Sequence, residues 1–180
     1  MDVAEQKKEL RKMISGWNKQ FPNELKRQQE QAVFAILERL PEFVRAKRIG
    51  FYWSMKDEFK THDFITKWCG IKEFYLPKVE NSDLKFCKFD DESSMVENSE
   101  FSILEPIGAA IETKSLDLLI VPGVGFTIRG NRLGRGGGFY DRVLRMKGAY
   151  SVALCYDFQV ITELPHEEHD ERVDLVLYKG

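Results

Sequence analysis

A continuous apolar run at residues 116–122 (LDLLIVP), followed directly by a basic, glycine-rich stretch, constrains the fold more than any other feature of this sequence. A strand covered on both faces of a parallel sheet is apolar at successive positions, whereas a half-exposed strand alternates with polar residues. In open parallel sheets, ligands bind outside the carboxyl ends of the strands. The run therefore predicts a buried parallel strand, and it makes the glycine-rich stretch a candidate binding loop.

The amino-terminal part of the chain predicts two amphipathic helices. The first covers residues 4–18, and its apolar stripe at helical spacing is Leu10, Met13, Ile14 and Trp17. The second is capped by Asn23 and ends before Pro41, and its expected buried face is Val33, Ile36, Leu37 and Leu40.

Strands and short helices are then predicted to alternate. The expected strands are RIGFYW (48–53), EFYLPKV (73–79), LKFCKFD (84–90), the run at 116–122, YSVALCY (150–156) and RVDLVLY (172–178). The expected helices are THDFITKWCG (61–70), capped by Thr61, and FYDRVLRMKG (139–148). Acidic residues 90–100 predict a surface loop. This order favours the α/β class: a single-domain, three-layer α/β/α fold with a largely parallel sheet over residues 1–180.

Composition sets the expected surroundings of the protein. The net charge of −2 provides no overall attraction to nucleic acid or to an anionic membrane. Three widely spaced cysteines, an odd number, favour free thiols over a disulfide framework or a zinc site. The amino terminus has no apolar signal region, and no apolar run approaches the ~20 residues needed to span a bilayer. We therefore expect a cytoplasmic protein.

Residues 129–142 (RGNRLGRGGGFYDR) contain five glycines and four arginines. Glycines let backbone N–H groups turn toward an anion, and a helix that starts near Gly137 directs its dipole to the same point. Arg132 and Arg135 add forked donors suited to phosphate, and Asp141 is placed to reach a phosphate-bound Mg²⁺. The stretch has neither a P-loop nor a dinucleotide-binding motif. It predicts phosphate binding, with a flexible loop of solvated arginines as the alternative.

Five segments in order carry the motifs of one family. They are KKELR (7–11), FYWSMKDEFKT (51–61), FSILEP (101–106), VPGVGFTIRGNRLGRGGGFYDR (121–142) and LPHEEHDERVDLVL (164–177). Each motif is weak by itself, but the ordered set spans nearly the whole chain. Together they resemble the 5-formyltetrahydrofolate cyclo-ligase family, whose members are also called methenyltetrahydrofolate synthetases.

The resemblance implies an ATP- and Mg²⁺-dependent ligase of one-carbon metabolism. Its reaction converts 5-formyltetrahydrofolate irreversibly to 5,10-methenyltetrahydrofolate: ATP phosphorylates the formyl oxygen, N10 attacks the activated carbon, and ring closure releases phosphate. The implied fold is Rossmann-like (NagB/RpiA/CoA-transferase-like). The implied partners are ATP and 5-formyltetrahydrofolate, with or without a polyglutamate tail. We expect a monomer that binds neither nucleic acid nor membrane.

The resemblance also implies a set of site residues. The catalytic residues would be Arg135 and Asp141, and Mg²⁺ would be held by Asp141 and Asp174. Folate would contact Trp53, Glu58, Arg135, Gly136, Gly137, Gly138 and Phe139. ATP would contact Lys7, Lys8, Glu9, Leu10 and Arg11 near the amino terminus, and in the loop Arg132, Leu133, Gly134, Arg135, Gly136, Gly137, Gly138, Phe139 and Tyr140.

Three positions depart from the family pattern. Phe139 stands where many members have tyrosine, and Gly137 replaces a lysine that some members place between the glycines. Trp53 is bulkier than the aliphatic residue often found at its position. These changes remove a hydroxyl and a positive charge, but no carboxylate or amino-terminal basic residue that the reaction needs.

Alternatives stay open at this point. Lys7 and Arg11 lie four apart on a charged helix, where most such pairs are solvated. Glu58 and Asp174 are also consistent with surface carboxylates, and the H-x-x-H pattern of His166 and His169 would need further ligands at suitable geometry to form a zinc site. Two other functions fit the same pattern: an enzyme for another phosphate-bearing metabolite, and a non-catalytic folate- or nucleotide-binding accessory protein of the same fold.

Overall fold

A seven-stranded mixed sheet forms the centre of the molecule in the computed structural model, which describes residues 2–98 and 103–180. Its strand order is β11-β10-β7-β1-β2-β3-β6. The first five of these strands are parallel, while β3 and β6 add antiparallel at one edge. The predicted α/β class with a largely parallel sheet is therefore confirmed.

The strands of this sheet are short except for one hairpin. They are β1 (Arg48–Gly50), β2 (Glu73–Glu80), β3 (Asp83–Phe89), β6 (Ala110–Ile111), β7 (Leu118–Val121), β10 (Tyr150–Leu154) and β11 (Leu175–Leu177). Two separate hairpins are formed by β4 (Met95–Asn98) with β5 (Ile103–Pro106), and by β8 (Gly125–Phe126) with β9 (Arg132–Leu133). The helices are α1 (Val3–Gln20), α2 (Asn23–Leu37), α3 (Pro41–Arg45), α4 (His62–Trp68) and α5 (Phe139–Arg145).

Both faces of the sheet are covered, as the apolar run at 116–122 predicts. All four residues of β7 are buried, and its side chains alternate between two cores. Leu118 and Ile120 pack in the core that also contains residues of α2, α3 and α4. Leu119 and Val121 pack in the core that contains Val143 of α5. The chain thus has helix, sheet and helix layers, because side chains of a strand point alternately to opposite faces.

The apolar faces predicted for the first two helices are partly wrong. On α1, Ile14 is buried, but Met13 and Trp17 are 44% and 39% exposed. On α2, Ile36 is 42% exposed, and Leu40 lies beyond the helix as the residue before α3. The expected cap is also wrong: Asn23 is the first helical residue, and Pro22 precedes it without a side-chain cap. Periodicity predicted where the two helices lie, but tertiary packing determined which residues of each apolar face are buried.

The predicted loop at residues 90–100 is corrected by the structure. A single helical turn at Glu92–Ser94 leads into β4, which pairs along its whole length with β5. Glu105 of β5 is buried, and its Oε1 accepts hydrogen bonds from Val79 N at 2.9 Å and Asn98 Nδ2 at 3.0 Å. Cross-strand pairing and these bonds hold a polar segment that has little strand propensity. The rest of that prediction and the first two residues of the FSILEP motif fall at 99–102, outside the described residues.

Two further expectations from composition can be compared with the structure. All three cysteines are free, and Cys87 and Cys155 are buried. Burial raises the pKa of the Cys155 thiol well above its ordinary value. Within residues 2–98 and 103–180, none of the helices combines the length and the apolar character that crossing a membrane requires.

Candidate functional site

The candidate site lies at the carboxyl ends of β1 and β7, which are neighbours in the sheet. Each strand leads into a loop that carries predicted site residues: the loop after β1 contains Trp53 and Glu58, and the loop after β7 contains residues 129–142. Parallel strands bring these two loops to the same edge although they are far apart in sequence. The site is therefore a direct consequence of the sheet order.

The loop after β1 is closed by a buried pair of hydroxyl side chains. Thr61 Oγ1 donates to Tyr52 O at 2.7 Å and accepts from Ser54 N at 3.1 Å. Thr61 N in turn donates to Ser54 Oγ at 3.1 Å. Thr61 occupies the position before α4 but makes no side-chain cap bond there, so its predicted capping role is wrong. Its hydroxyl instead fixes the loop that presents Trp53 and Glu58.

The glycine-rich loop begins with the β8–β9 hairpin and ends at the start of α5. Gly136 and Gly138 have φ angles of +106° and +66°, in the left-handed region that favours glycine. Gly138 is the residue directly before α5, close to the predicted helix start. These conformations let the loop turn into the helix.

A cavity of about 380 Å³ opens between the two loops and the β2–β3 and β4–β5 hairpins. Apolar and aromatic side chains form much of its wall. Eleven residues predicted from the family resemblance line it: Trp53, Glu58, Arg132, Gly134, Arg135, Gly136, Gly137, Gly138, Phe139, Tyr140 and Asp141. The size and the few charged groups among apolar ones are typical of a small-molecule site.

The Trp53 wall of the cavity is held by an aromatic stack. The Trp53 ring lies 3.9 Å from the His62 ring, centroid to centroid, with the planes 12° apart. His62 Nε2 lies 2.9 Å from Ser54 O, which fixes the imidazole. Burial lowers the pKa of His62, which favours the neutral form of the ring. The stack gives the bulky Trp53 a defined position beside the cavity.

A buried ion pair lies at the base of the cavity. Arg132 Nη2 contacts Asp141 Oδ2 at 2.9 Å, and the two side chains are 4% and 15% exposed. Asp141 Oδ1 also accepts a hydrogen bond from Glu171 N at 3.2 Å. Among the side-chain atoms that the structure describes, Arg132 Nε and the Tyr140 hydroxyl are buried without a hydrogen-bond partner. Such groups are rare in folded proteins and indicate donors that a ligand or water completes.

Arg135 lies on the opposite side of the loop and is held by two adjacent carboxylates. Its Nη2 contacts Asp57 Oδ1 at 2.7 Å, and its Nε contacts Glu58 Oε1 at 3.2 Å. Burial alone lowers the pKa of Arg135, but the hydrogen bond to Asp57 and the charge of Glu58 outweigh this effect and raise the pKa. A second cavity of about 190 Å³, on the α1 side, shares Arg135, Glu58 and Gly123 with the first. Arg135 and Glu58 thus lie in the wall between two adjoining cavities, and Asp57 lines the smaller one.

One face of α1 crosses this edge of the sheet. Lys7, Arg11, Ile14 and Asn18 follow helical spacing, and each polar member contacts a different segment. Arg11 Nε donates to Gly134 O at 2.7 Å, and Asn18 Nδ2 donates to Asp57 O at 2.6 Å. Arg11 also lines the second cavity, so α1 forms part of the site rather than a remote surface helix.

Lys7 is buried at the end of this face, between two carboxylates. Its Nζ lies 2.6 Å from Glu167 Oε2 and 2.6 Å from Asp170 Oδ2. Burial alone lowers the pKa of Lys7, but the hydrogen bonds to Asp170 and Glu167 outweigh it and raise the pKa. The same bond from Lys7 keeps the pKa of Asp170 below its ordinary value, against the effect of burial. The alternative that Lys7 is a solvated surface residue is wrong.

Other predicted residues lie away from the first cavity. Lys8 and Glu9 are exposed on α1, Leu10 is half-buried there, and Leu133 is buried in β9. Asp174 lies at the amino ends of β10 and β11, where its Oδ2 accepts hydrogen bonds from Ser151 N at 2.8 Å and Ser151 Oγ at 2.7 Å. The side-chain contacts of Asp174 are thus with Ser151, whereas those of Asp141 are with Arg132 and the backbone of Glu171.

In the part of the chain that the structure describes, His166 and His169 do not belong to the same cluster of possible metal ligands. Among the described residues, the cluster with metal-ligand geometry is Glu167, His169 and Asp170, whose ligand atoms lie within 4.8 Å of one another. His166 is not a member. The Lys7 ammonium contacts both carboxylates of this cluster and offsets one of their two negative charges.

Two site residues were missed by the sequence analysis. Asp57 precedes Glu58 directly, and the adjacent pair of carboxylates in a turn was a signal that could have identified it. Asn18 continues the spacing of Lys7, Arg11 and Ile14 by one more turn, and this spacing was a signal that could have identified it.

Comparisons with known proteins indicate one family for this chain. The sequence profile of the 5-formyltetrahydrofolate cyclo-ligase family matches residues 3–179. A 5-formyltetrahydrofolate cyclo-ligase from Haemophilus influenzae is 36% identical over 153 residues, which cover 79% of this chain and 81% of the relative. One from Mus musculus is 32% identical over 155 residues, covering 77% and 76%.

Solved structures give the same result. The chain is similar to the 5,10-methenyltetrahydrofolate synthetase of Aquifex aeolicus, with a TM-score of 0.85, 32% identity and coverage of 95% of this chain and 88% of that one. A synthetase from Mycoplasma pneumoniae has a TM-score of 0.77 at 23% identity, with coverage of 97% and 99%, and supports the fold alone. The family match extends over almost the entire sequence and includes both loops of the site. The chain therefore belongs to the 5-formyltetrahydrofolate cyclo-ligase family.

Proposed function

We propose that this chain converts 5-formyltetrahydrofolate to 5,10-methenyltetrahydrofolate, with ATP consumed to ADP and phosphate. The observation that carries the proposal is the pair of adjoining cavities that share Arg135 and Glu58, in a chain that matches the family from residue 3 to residue 179. A reaction between two large substrates needs two binding spaces that meet at the reacting atoms. The larger, more apolar cavity suits the folate, and the polar one beside α1 suits part of the nucleotide.

The chemistry needs positive charge and exact positioning more than a covalent enzyme group. The formyl oxygen attacks the γ-phosphorus of ATP, and the bond to the ADP oxygen breaks. N10 then attacks the formyl carbon and loses its proton, while the carbon–oxygen bond breaks and inorganic phosphate leaves. Phosphorylation thus turns a poor leaving group into a good one.

Two arginines can stabilise the charge that develops in this reaction. Arg135 lies in the wall that the two cavities share, which is where the phosphoryl group would pass between the substrates. Arg132 lies at the base of the larger cavity with an unpartnered, buried Nε. Fixed cationic donors in a site with little water stabilise transferring phosphoryl groups strongly. We propose that both arginines contact phosphate oxygens and that the backbone of Gly134, Gly136, Gly137 and Gly138 adds N–H donors.

The aromatic wall would bind the folate. Trp53 is fixed by its stack on His62, and Phe139 and Tyr140 lie across the same cavity. Flat heteroaromatic rings pack well against such side chains. The unpartnered Tyr140 hydroxyl supports a donor role toward the bound substrates. Glu58, whose carboxylate is 10% exposed, would face the reacting part of the folate.

Mg²⁺ fits one predicted ligand better than the other. Mg²⁺ usually takes one or two carboxylates, keeps several waters and binds substrate phosphates. Asp141 lines the larger cavity and offers a carboxylate at its base, so we propose that it holds the ion. When bound, the ion would neutralise phosphate charge. Asp174 as a second ligand stays a prediction, and its contacts with Ser151 do not favour it.

The amino-terminal residues would complete the nucleotide site. Arg11 lines the smaller cavity and supports a direct contact with ATP. For Lys7 we propose a role in binding that requires exchange of its present partners, Glu167 and Asp170. Lys8, Glu9 and Leu10 stay predictions, since they lie outside both cavities.

The test of the function is a cyclisation assay. Purified protein with ATP, Mg²⁺ and 5-formyltetrahydrofolate should form methenyltetrahydrofolate, measured by its absorbance, with one ADP released per product. Omission of ATP or Mg²⁺ is the control. Binding of both substrates without product would support the non-catalytic alternative and overturn the proposal.

We also propose that the protein is a monomer, that it forms a single domain and that it is located in the cytoplasm. One sheet contains strands from residue 48 to residue 177, which supports a single domain. A relative from Arabidopsis thaliana is named as mitochondrial, so location needs its own measurement. Light scattering tests the monomer, and polyglutamylated substrate in the cyclisation assay tests tail preference.

A further inference from the structure

Asp57 contacts the arginine that separates the two cavities, and the sequence analysis assigned it no role. Its Oδ1 lies 2.7 Å from Arg135 Nη2, closer than Glu58 Oε1 lies to Arg135 Nε, at 3.2 Å. Both nitrogens belong to one planar guanidinium, which therefore faces two neighbouring carboxylates. These two contacts fix the direction of the Arg135 side chain.

The two carboxylates differ in what holds them. Glu58 is 10% exposed, and its second oxygen accepts a hydrogen bond from Met55 N at 2.8 Å. Asp57 is 56% exposed, and its backbone carbonyl is bound by Asn18 of α1. The Asp57 carboxylate is thus open to solvent, while its backbone is anchored to the helix that borders the second cavity.

We infer that Asp57 is a positioning residue that competes with the phosphates of ATP for the guanidinium of Arg135. The inference rests on the proposed function, because ATP is the anion concerned. Guanidinium binds carboxylate and phosphate through the same fork of donors, so a phosphate that binds through Nη2 competes with Asp57 for that nitrogen. Asp57 is the carboxylate more easily displaced, since the Glu58 side chain is only 10% exposed and also accepts a hydrogen bond from Met55 N. Its negative charge also repels phosphate placed beside Arg135.

The exposure of the pair sets the size of the effect. Arg135 and Asp57 are 44% and 56% exposed, and exposed ion pairs are weak and screened by salt. Removing the competing charge should therefore tighten ATP binding about two- to fivefold. The gain should shrink at high ionic strength.

The test measures the dissociation constant of Mg²⁺–ATP by isothermal titration calorimetry, with no folate present. Asp57→Asn should bind ATP about two- to fivefold more tightly than wild type, and Asp57→Glu should restore wild-type affinity. In an Arg135→Gln background, Asp57→Asn should have no such effect. Glu24→Gln is the matched control: it removes an exposed carboxylate paired with Arg27 on α2, which lines neither cavity.

The outcomes separate this inference from the proposed function. If wild type forms no methenyltetrahydrofolate but Asp57→Asn still binds ATP more tightly, the function fails and the inference stands. If Asp57→Asn leaves ATP affinity unchanged or weaker, or the gain persists without Arg135, the inference is overturned. A purely structural role would instead lower the Tm of Asp57→Asn and weaken the binding of both substrates.

Discussion

Lys7 gives the sharpest test of how α1 is joined to the rest of the molecule. Its ammonium, on a side chain 8% exposed, lies between Glu167 and Asp170, whose side chains are 37% and 16% exposed. Lys7→Met keeps most of the apolar stem but leaves two neighbouring carboxylates without a counter-ion. Breaking a fully buried ion pair costs about 3–5 kcal/mol, whereas an exposed pair contributes about 0.2–1 kcal/mol.

The contacts of Lys7 place the expected loss between these limits. Asp170 retains little access to water but Glu167 retains much more, so we expect a destabilisation of about 2–3 kcal/mol. For a chain of this length, 1 kcal/mol corresponds to roughly 2–4 °C, which gives a fall in Tm of roughly 4–12 °C. Thermal unfolding followed by circular dichroism at pH 7 measures it.

Two variants make the Lys7 result specific. Lys8→Met is the matched control, because Lys8 is the next residue and is exposed, and its Tm should change by less than ~2 °C. In Lys7→Met, adding Asp170→Asn should recover ~1 kcal/mol, since one uncompensated charge is removed. If Lys7→Met and Lys8→Met unfold at the same temperature, Lys7 is not bound between Glu167 and Asp170 in the free protein.

Three further predictions follow from the same contacts. Asp141→Asn should lower kcat/KM of cyclisation at least ~100-fold while circular dichroism still reports a folded chain; near wild-type turnover would refute its proposed metal role. Thr61→Val removes the hydroxyl that donates to Tyr52 O. Urea unfolding should show a free energy of unfolding lower by about 1–3 kcal/mol, and the cyclisation assay should show a raised KM for folate. An unchanged urea midpoint would contradict the role of Thr61 in closing the loop. The hydrogen bond from Lys7 lowers the pKa of Asp170, so the stabilisation by this carboxylate is present above its unfolded pKa of about 3.9 and is lost as pH falls through the folded value. The difference in free energy of unfolding between wild type and Asp170→Asn should thus be constant from pH 6 to 8 and shrink below about pH 4. The opposite trend would overturn the assignment.

The fold class could be predicted because it depends on local patterns. The run at 116–122 is apolar on both faces of a strand, and the structure buries all of β7 between two cores. The β4–β5 hairpin could not be predicted in this way. It is held by cross-strand partners and by Glu105, and neither is visible in the propensity of residues 90–98.

The candidate site was predictable to a similar extent. The sequence by itself determined the composition of the glycine-rich loop, its place after a buried strand and its family resemblance, since these are properties of contiguous residues. Only the tertiary structure decided which charges meet: Lys7 with Asp170, 163 positions away, and Asp57 with Arg135, 78 positions away. The first pair forms because α1 packs across this edge of the sheet, and the second forms because the loops after the neighbouring strands β1 and β7 meet there. Asp174 meets Ser151 because β11 starts beside β10. Such contacts depend on how distant elements pack, and packing is a property of the folded chain as a whole.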